Sequence, residues 1–282
     1  MEQVIIFGAG EAGKNFILHQ KQYNILAVVD NDTKKHGMTL EGISIISPLK
    51  LSEYTFDKIV ITSMYFNPIY KQLVEQLNIE SSKIVAAHKN LLKEAVFPFE
   101  DERTLAFAKQ QLKNICTLLD KENISYFLDY GTLLGIVREQ ELIKWDDDID
   151  LSFYKDDLSK LELLLIRFVE SNNSSSLNCE YMTVKDDKGD ISSLVLAFKD
   201  EIEGILKFNI DFWMLTLSEN LAIQTMNKCD KKHFLTFEYV EYDGEKLKAP
   251  AQYEEYLTHT YGDWRTPRKE TTFADYPYAF EE

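Results

Sequence analysis

The sequence predicts two folded parts, a parallel α/β sheet in residues 1–95 and an α+β domain in residues 96–282. In the first part, apolar runs with the composition of strands alternate with helical segments, which is typical of parallel sheets. In the second part, a long amphipathic helix beginning near Thr104 is followed by segments of alternating hydrophobicity, which predict antiparallel strands. A chain of 282 residues, 45% of them hydrophobic, has room for two such cores.

Charge also separates the two parts. The first 95 residues hold 10 basic and 10 acidic residues and the remainder holds 21 basic and 37 acidic, so the whole net charge of −16 lies in 96–282. Such a surface repels nucleic acid and anionic lipid headgroups, which argues against both as partners. It also repels a free nucleotide, so a nucleotide site there requires a divalent cation and a few well-placed basic side chains.

Targeting signals are not predicted. The apolar stretch that ends at Ala9 lacks a basic region before it and a cleavage site after it. No apolar run approaches the length of a membrane span. Cys116, Cys179 and Cys229 are far apart and form no metal-binding pattern, so we expect buried thiols in a reducing cytoplasm.

The first part opens with the pattern of a dinucleotide-binding unit. A short apolar strand at residues 4–7 leads into a glycine turn, a helical segment follows at 14–22, and a second strand at 25–29 ends at an acid. In such units the glycines let a pyrophosphate approach the backbone, and the acid meets a ribose hydroxyl. The pattern assigns the following residues to a bound dinucleotide or nucleotide: Gly8, Gly10, Gly13 and Asp30.

Other interpretations of this turn stay open. The segment from Gly8 to Lys14 approaches a P-loop, although Asn15 stands where that motif needs a hydroxyl for Mg²⁺. The whole unit resembles the small Rossmann-like modules attached to sugar-modifying enzymes of surface-polysaccharide pathways, and this resemblance implies either a bound nucleotide or a scaffold role. Strands at 58–62 and 83–85 and a helix at 68–77 complete the predicted parallel sheet.

A run of acids after Trp145 is the most concentrated chemical signal in the chain. Its members are Asp146, Asp147, Asp148 and Asp150. If residues 148–153 form a strand, Asp148 and Asp150 share one face and the intervening Ile149 enters the core. Asp146 then lies on the carboxylate side, just before the strand. Carboxylate oxygens aimed at one point suit a hard divalent cation such as Mg²⁺, and a solvated acidic turn is the alternative.

A third carboxylate is expected from a neighbouring strand. Residues 207–215 form an apolar, aromatic run that contains a single acid, Asp211. Burying a lone carboxylate in such a strand is costly unless a partner compensates its charge. A shared cation supplies that partner, so the sequence predicts Mg²⁺ or Mn²⁺ held by Asp148, Asp150 and Asp211.

Groups suited to phosphate precede the acids. A strand predicted at 125–128 leads to a turn at Gly131 and Thr132, where backbone N–H groups and the start of a helix at 133–137 face any phosphate held there. Arg138 is a candidate phosphate clamp because its planar guanidinium contacts two oxygens at once, and an ion pair with Glu139 or Glu141 is the alternative. The predicted substrate-binding residues are Gly131, Thr132, Arg138 and Lys144.

These segments together resemble the LicD family, whose relatives include fukutin and fukutin-related protein. The resemblance covers roughly the last two thirds of the chain and implies a nucleotidyltransferase-like α+β domain in 96–282. It rests on four segments: Gly131-Thr132-Leu133-Leu134-Gly135 with Arg138, Trp145 to Asp150, Asn209-Ile210-Asp211-Phe212, and residues 250–267 with their Tyr-Gly-Asp-Trp sequence.

The resemblance implies a metal-dependent phosphotransferase. Such an enzyme moves a phosphorylated alcohol, for example phosphocholine or ribitol phosphate, from a CDP-linked donor to a sugar hydroxyl of a polysaccharide, lipopolysaccharide or capsule, and releases CMP. Asp146 is the first candidate to take the proton of the acceptor hydroxyl, and Asp211 is the second. Two other functions stay open: an NAD(P)-dependent sugar-nucleotide-modifying enzyme that works through the first part, and a binding module without catalysis.

Overall fold

A computed structural model describes residues 1–93, 96–173, 178–186, 189–199, 204–225 and 227–277. The chain forms two compact units: Met1–Val96 together with the segment from Pro267 onward, and Phe97–Thr266. Among the described helices, none is both long enough and apolar enough to cross a bilayer.

The first unit is built around a parallel sheet. In chain order its elements are β1 Glu2–Phe7, α1 Glu11–His19, β2 Tyr23–Val29, β3 Thr39–Leu40, β4 Ile43–Ile46, β5 Lys58–Ile61, α2 Phe66–Lys71 and β6 Ile84–Ala86. The strand order is β3-β4-β2-β1-β5-β6, and every neighbouring pair from β4 to β6 is parallel. Because the order reverses at β1, the sheet is wound in both directions from its first strand. The predicted parallel α/β sheet is confirmed.

The segment after Thr266 packs with the first unit, although the sequence assigned it to the second domain. Thr272 forms a β-bridge with His88, and the side chain of Phe273 packs against both apolar clusters of the first unit. The predicted assignment of this segment is therefore corrected. The physical reason is that the aromatic side chain of Phe273 packs against a core whose buried members precede it by more than 180 residues in sequence.

The second unit contains a mixed sheet, helices and a hairpin. Its elements are α3 Glu102–Lys121, β7 Tyr126–Leu128, α4 Tyr130–Glu139, β8 Asp148–Tyr154, α5 Leu158–Asn173, β9 Cys179–Lys185, β10 Ile191–Phe198, β11 Phe208–Leu217, β12 Leu221–Ile223, β13 Lys228–Asp230, β14 Phe237–Tyr242, β15 Glu245–Pro250 and α6 Tyr253–Tyr261. Strand β11 is central, because it pairs in parallel with β8 and antiparallel with β10 and β12. The predicted antiparallel strands are confirmed, and β14 and β15 form a hairpin with its turn at Asp243-Gly244.

Helix α4 begins earlier than the sequence predicted. Gly131 and Thr132 lie in its first turn and not in a preceding loop, because Asp129 caps the helix by accepting a hydrogen bond from the backbone N–H of Tyr130. Tyr130 itself has a positive φ of 39°. An aromatic residue seldom adopts that conformation, which costs on the order of 1–3 kcal/mol unless its surroundings impose it.

Candidate active site

The acidic side chains meet because of the register between two parallel strands. Asp150 on β8 is paired with Asp211 on β11, and Asp148 is paired with Asn209. Side chains alternate along each strand, so the carboxylates share one face while the intervening Ile149 and Ile210 are fully buried in the core. The strand and its alternation are as predicted.

Oxygens of these three carboxylates converge on a small volume. One oxygen each from Asp148, Asp150 and Asp211 lies within 4.8 Å of the other two. Ligands on opposite sides of a divalent cation are separated by roughly 4–5 Å, so the spacing and the all-oxygen donor set fit a hard cation. Asp146 and Asp147 form a second such group with Asp148.

The carboxylate of Asp150 is held on both sides. The indole N–H of Trp213 donates to Oδ1 at 2.8 Å, and the backbone N–H of Gly131 donates to Oδ2 at 3.2 Å. Burial raises the pKa of this carboxyl well above its ordinary value, and the negative charges of Asp146 and Asp211 raise it further. A positive charge at this point would offset both effects, because it favours the ionised form.

The start of α4 contacts the acids directly. The side-chain oxygen of Thr132 accepts a hydrogen bond from the backbone N–H of Asp150 at 2.8 Å, and Thr132 is 2% exposed. The N–H of Gly131 is directed at the Asp150 carboxylate. Gly131 and Thr132, which the sequence assigned to phosphate binding, therefore hold Asp150 in place in this structure.

A buried polar network lies behind this helix start. Its centre is Asp129, which is fully buried and accepts hydrogen bonds from the Tyr256 hydroxyl at 2.6 Å, the Gln224 amide at 2.8 Å and the Ser152 hydroxyl. Burial raises the pKa of the Asp129 carboxyl, and the hydrogen bonds from Gln224, Ser152 and Tyr256 oppose that rise.

The two predicted cationic residues differ in their surroundings. The guanidinium of Arg138 donates from Nε and Nη2 to Glu139 and from Nη1 to the backbone carbonyl of Trp264 at 3.2 Å, and its side chain is 9% exposed. The ion pair with Glu139, one of the two interpretations, is thus present. Lys144 is exposed in the turn that precedes the acids.

The glycine turn of the first unit is tightly packed at two of its three glycines. A Cβ atom on Gly13 would lie 2.0 Å from the carbonyl oxygen of Gly8, whose own φ is 124°, whereas a Cβ on Gly10 would meet nothing within 4 Å. Asp30 accepts hydrogen bonds from the backbone N–H of Ala9 at 2.8 Å and from the Lys35 ammonium at 3.0 Å. Most of this turn is thus fixed by packing, and Gly10 is its open position.

The P-loop interpretation gains no support from the residue that replaces the hydroxyl. Asn15 is 7% exposed, and its amide donates to the backbone carbonyl of Leu92 at 3.0 Å.

The three cysteines are free and buried, as expected.

Sequence reasoning missed the residues that support the acids. Asp129 carried a usable signal, because an acid just before a helical segment is a typical N-cap. Trp213 lies two residues from Asp211 and hence on the same face of β11. Gln224 had no local signal, since it acts through contacts with residues far away in sequence. The residues in question are Asp129, Tyr130, Ser152, Trp213, Gln224 and Tyr256.

The acidic carboxylates lie on neighbouring strands of a mixed sheet, beside the start of a short helix, as the resemblance to a nucleotidyltransferase-like domain implies. Residues 123–252 match the model of the LicD/FKTN/FKRP nucleotidyltransferase domain. The resemblance to the LicD family that the motifs indicated is thus confirmed over residues 123–252. Residues 1–85 match a different model, described as C2185-like, N-terminal.

Relatives in three organisms share short segments with the chain. Uncharacterized protein RP689 of Rickettsia prowazekii (strain Madrid E) is 37% identical over 76 residues, which cover 27% of this chain and 29% of that protein. Ribitol 5-phosphate transferase FKRP of Homo sapiens is 32% identical over 56 residues, 20% of this chain and 11% of that protein. Lipopolysaccharide cholinephosphotransferase LicD of Haemophilus influenzae is 42% identical over 43 residues, 15% of this chain and 16% of that protein. The chain thus spans less than a third of the length of each.

Proposed function

We propose that Phe97–Thr266 is a metal-dependent phosphotransferase that moves a phospho-alcohol from a CDP-linked donor to a sugar hydroxyl of a glycan. The observation that carries the proposal is the convergence of the Asp148, Asp150 and Asp211 carboxylates within 4.8 Å. The family match supports it, and two relatives are named as a ribitol 5-phosphate transferase and a cholinephosphotransferase. Phosphocholine and ribitol phosphate are accordingly the first groups to test.

In this proposal Asp148, Asp150 and Asp211 hold Mg²⁺ or Mn²⁺. When bound, such an ion neutralises charge on the donor phosphates and on departing CMP. Asp146, at the edge of the cluster, accepts the proton of the acceptor hydroxyl while that oxygen forms its bond to phosphorus and the bond from phosphorus to CMP breaks. Lys144 attracts the donor phosphates. Catalysis then consists mainly of positioning and charge stabilisation.

Release of CMP tests the proposal. The protein is incubated with CDP-choline, CDP-ribitol or CDP-glycerol, each with Mg²⁺ and a glycan acceptor. We expect CMP from at least one donor, none after chelation with EDTA, and none from the double variant Asp148→Asn/Asp150→Asn. The matched control is Asp156→Asn/Asp157→Asn, which removes two acids just beyond the other end of β8. Wild-type turnover by the first double variant would contradict the proposal.

A second proposal concerns the first unit, where we propose nucleotide binding at the glycine turn. Helix α1 follows Gly10, which caps it without a side chain and leaves open space beside the first turn. Backbone N–H groups at such a helix start suit a phosphate. Titration with NADH and with CDP, followed by fluorescence and calorimetry, tests it against Gly10→Val, which fills the open space. A fluorescence change with NADH alone favours the NAD(P)-dependent alternative, and no binding of either ligand favours a scaffold role.

A further inference from the structure

The carboxylate of Asp129 joins four separate segments of the second unit. It accepts hydrogen bonds from the N–H of Tyr130 at the start of α4, the Ser152 hydroxyl on β8, the Gln224 amide after β12 and the Tyr256 hydroxyl on α6. Four donors around one fully buried acid restrict its position. The backbone at the start of α4 is restricted with it.

The same backbone sets the geometry of Asp150. The N–H of Asp129 donates to the backbone carbonyl of Asp150 at 3.1 Å, and the N–H of Gly131 donates to Asp150 Oδ2 at 3.2 Å. Between them lies Tyr130, with its positive φ of 39°. The left-handed conformation of Tyr130 directs the N–H of Gly131 toward the acids. The hydrogen bond from the Tyr130 N–H to the Asp129 carboxylate holds Tyr130 in that conformation.

The side chain of Tyr130 reaches the other oxygen of Asp150 through one intermediary. Its ring meets the ring of Trp213 edge to face with 5.7 Å between centroids, and the Trp213 indole N–H donates to Asp150 Oδ1 at 2.8 Å. The Tyr130 hydroxyl donates to the amide oxygen of Gln224 at 2.9 Å. The amide group of Gln224 thereby links the Asp129 carboxylate to the Tyr130 ring.

We infer that Asp129 and Gln224 are positioning residues for the proposed cation site. They hold Tyr130 in its left-handed conformation, from which the Gly131 N–H and the Trp213 indole fix the two carboxyl oxygens of Asp150. The inference rests on the proposed function for what the site binds. The geometry of the site rests on the hydrogen bonds alone.

The first test is Asp129→Asn, which keeps the size of the side chain and replaces one acceptor oxygen by a donor. Loss of groups that orient metal ligands typically weakens metal affinity by about 10–100-fold, so we expect Mn²⁺ binding at least ~10-fold weaker by calorimetry. Amide hydrogen exchange should accelerate locally at 130–132 and at 150. Leu161→Ala, which removes a fully buried side chain of α5, is the control for general destabilisation.

The second test is an exchange of functional groups. The double variant Asp129→Asn/Gln224→Glu keeps one amide and one carboxylate in the buried polar network but exchanges their positions. The new amide at position 129 donates to the new carboxylate at 224, which still accepts from the Tyr130 hydroxyl. We expect the double variant to recover most of the Mn²⁺ affinity that Asp129→Asn loses. Gln224→Glu alone places two acids side by side, so we do not expect it to keep the wild-type affinity.

The outcomes separate the inference from the proposed function. If the wild-type protein binds no Mn²⁺, the proposed function fails, and hydrogen exchange at 130–132 and 150 still decides the positioning role. The inference is overturned if the Asp129→Asn variant shows the same amide hydrogen exchange and the same Mn²⁺ affinity as the wild type. It is equally overturned if Leu161→Ala reproduces its effects, or if the exchange of groups restores nothing.

Discussion

Gly131 leaves no room for a side chain beside the acids. A Cβ atom built on it would lie 2.3 Å from Asp146 Oδ2 and 3.6 Å from Asp150 Oδ2. We expect Gly131→Ala to displace the Asp146 carboxylate and to slow CMP release on the order of 10-fold or more, since a misplacement of about 1 Å costs up to ~10²-fold. Steady-state CMP release at saturating donor measures the effect.

Gly135→Ala on the same helix is the control for that prediction. Its new methyl group meets the backbone oxygen of Glu141 at 2.6 Å and a side-chain carbon of Ile143 at 2.9 Å. It should therefore lower the melting temperature while the folded protein keeps its rate of CMP release. Equal rate losses in the two variants would mean that crowding of the carboxylate is not the cause.

Asp30 links the stability of the first unit to pH. Hydrogen bonds from the Asp32 and Ala9 N–H groups and from Lys35 outweigh burial and hold the pKa of Asp30 below its ordinary value. A lowered pKa contributes stability that is present above the unfolded value of about 3.9 and is lost as pH falls from there through the lower pKa of the folded state. Asp30→Asn should therefore lower the urea midpoint at pH 7, and the difference from wild type should shrink as pH falls below about 4. A difference independent of pH would contradict this assignment.

Single residues divide into those that a local pattern identifies and those that distant contacts define. Asp148 and Asp150 share a face because strand side chains alternate, and this required only the sequence of β8. Gln224 has no such pattern, since its partners Ser152 and Asp129 lie 72 and 95 residues away along the chain. Sequence reasoning therefore reached the acids, and it reached Gly131 and Thr132 with a different role, but it did not reach Gln224.

At the scale of elements, the end of α4 is tied to the segment after α6. Arg138 joins them, because its guanidinium binds Glu139 and the backbone carbonyl of Trp264. The residue Trp264 is 5% exposed. Arg138→Met leaves that carbonyl and an acid without their donor, which costs roughly 1–3 kcal/mol. We expect faster amide exchange at 262–266 and a lower melting temperature.

Arg265→Met provides a comparison within that segment. Arg265 stacks on the Trp264 ring at 4.2 Å and pairs with Glu254, but its side chain and that of Glu254 are 60% and 61% exposed. An exposed pair contributes about 0–1 kcal/mol, so this variant should change exchange at 262–266 much less. If the two variants behave alike, the link through Arg138 is not what holds the segment.

The register of β8 and β11 shows what element-level prediction reaches. Both strands were expected from their apolar alternation, but the parallel pairing of Asp150 with Asp211 depends on strands separated by α5, β9 and β10. The start of α4 was missed by three residues because Tyr130 adopts a positive φ that helical patterns do not anticipate. Both features are set by tertiary contacts.

At the scale of the whole molecule, the chain leaves the first unit after Val96 and returns to it at Pro267. The change in charge composition near residue 96 predicted this domain boundary. The return was not predictable from local sequence, because Tyr276 contacts Lys89 from 187 residues away. Lys89 also lies 4.7 Å from the centroid of the Phe273 ring.

Phe273 is the test of whether this returning segment stabilises the first unit. Its ring packs against both apolar clusters of that unit and is half-buried. A fully buried Phe→Ala costs about 3–5 kcal/mol, so Phe273→Ala should cost roughly 1–3 kcal/mol. The loss should fall on the first unit, where amide exchange in β1 and β5 accelerates while exchange in β8 and β11 stays unchanged. Phe237→Ala is the matched control, since Phe237 is 41% exposed on β14 of the other unit. If protection of β1 and β5 survives Phe273→Ala, the first unit is stable without the returning segment.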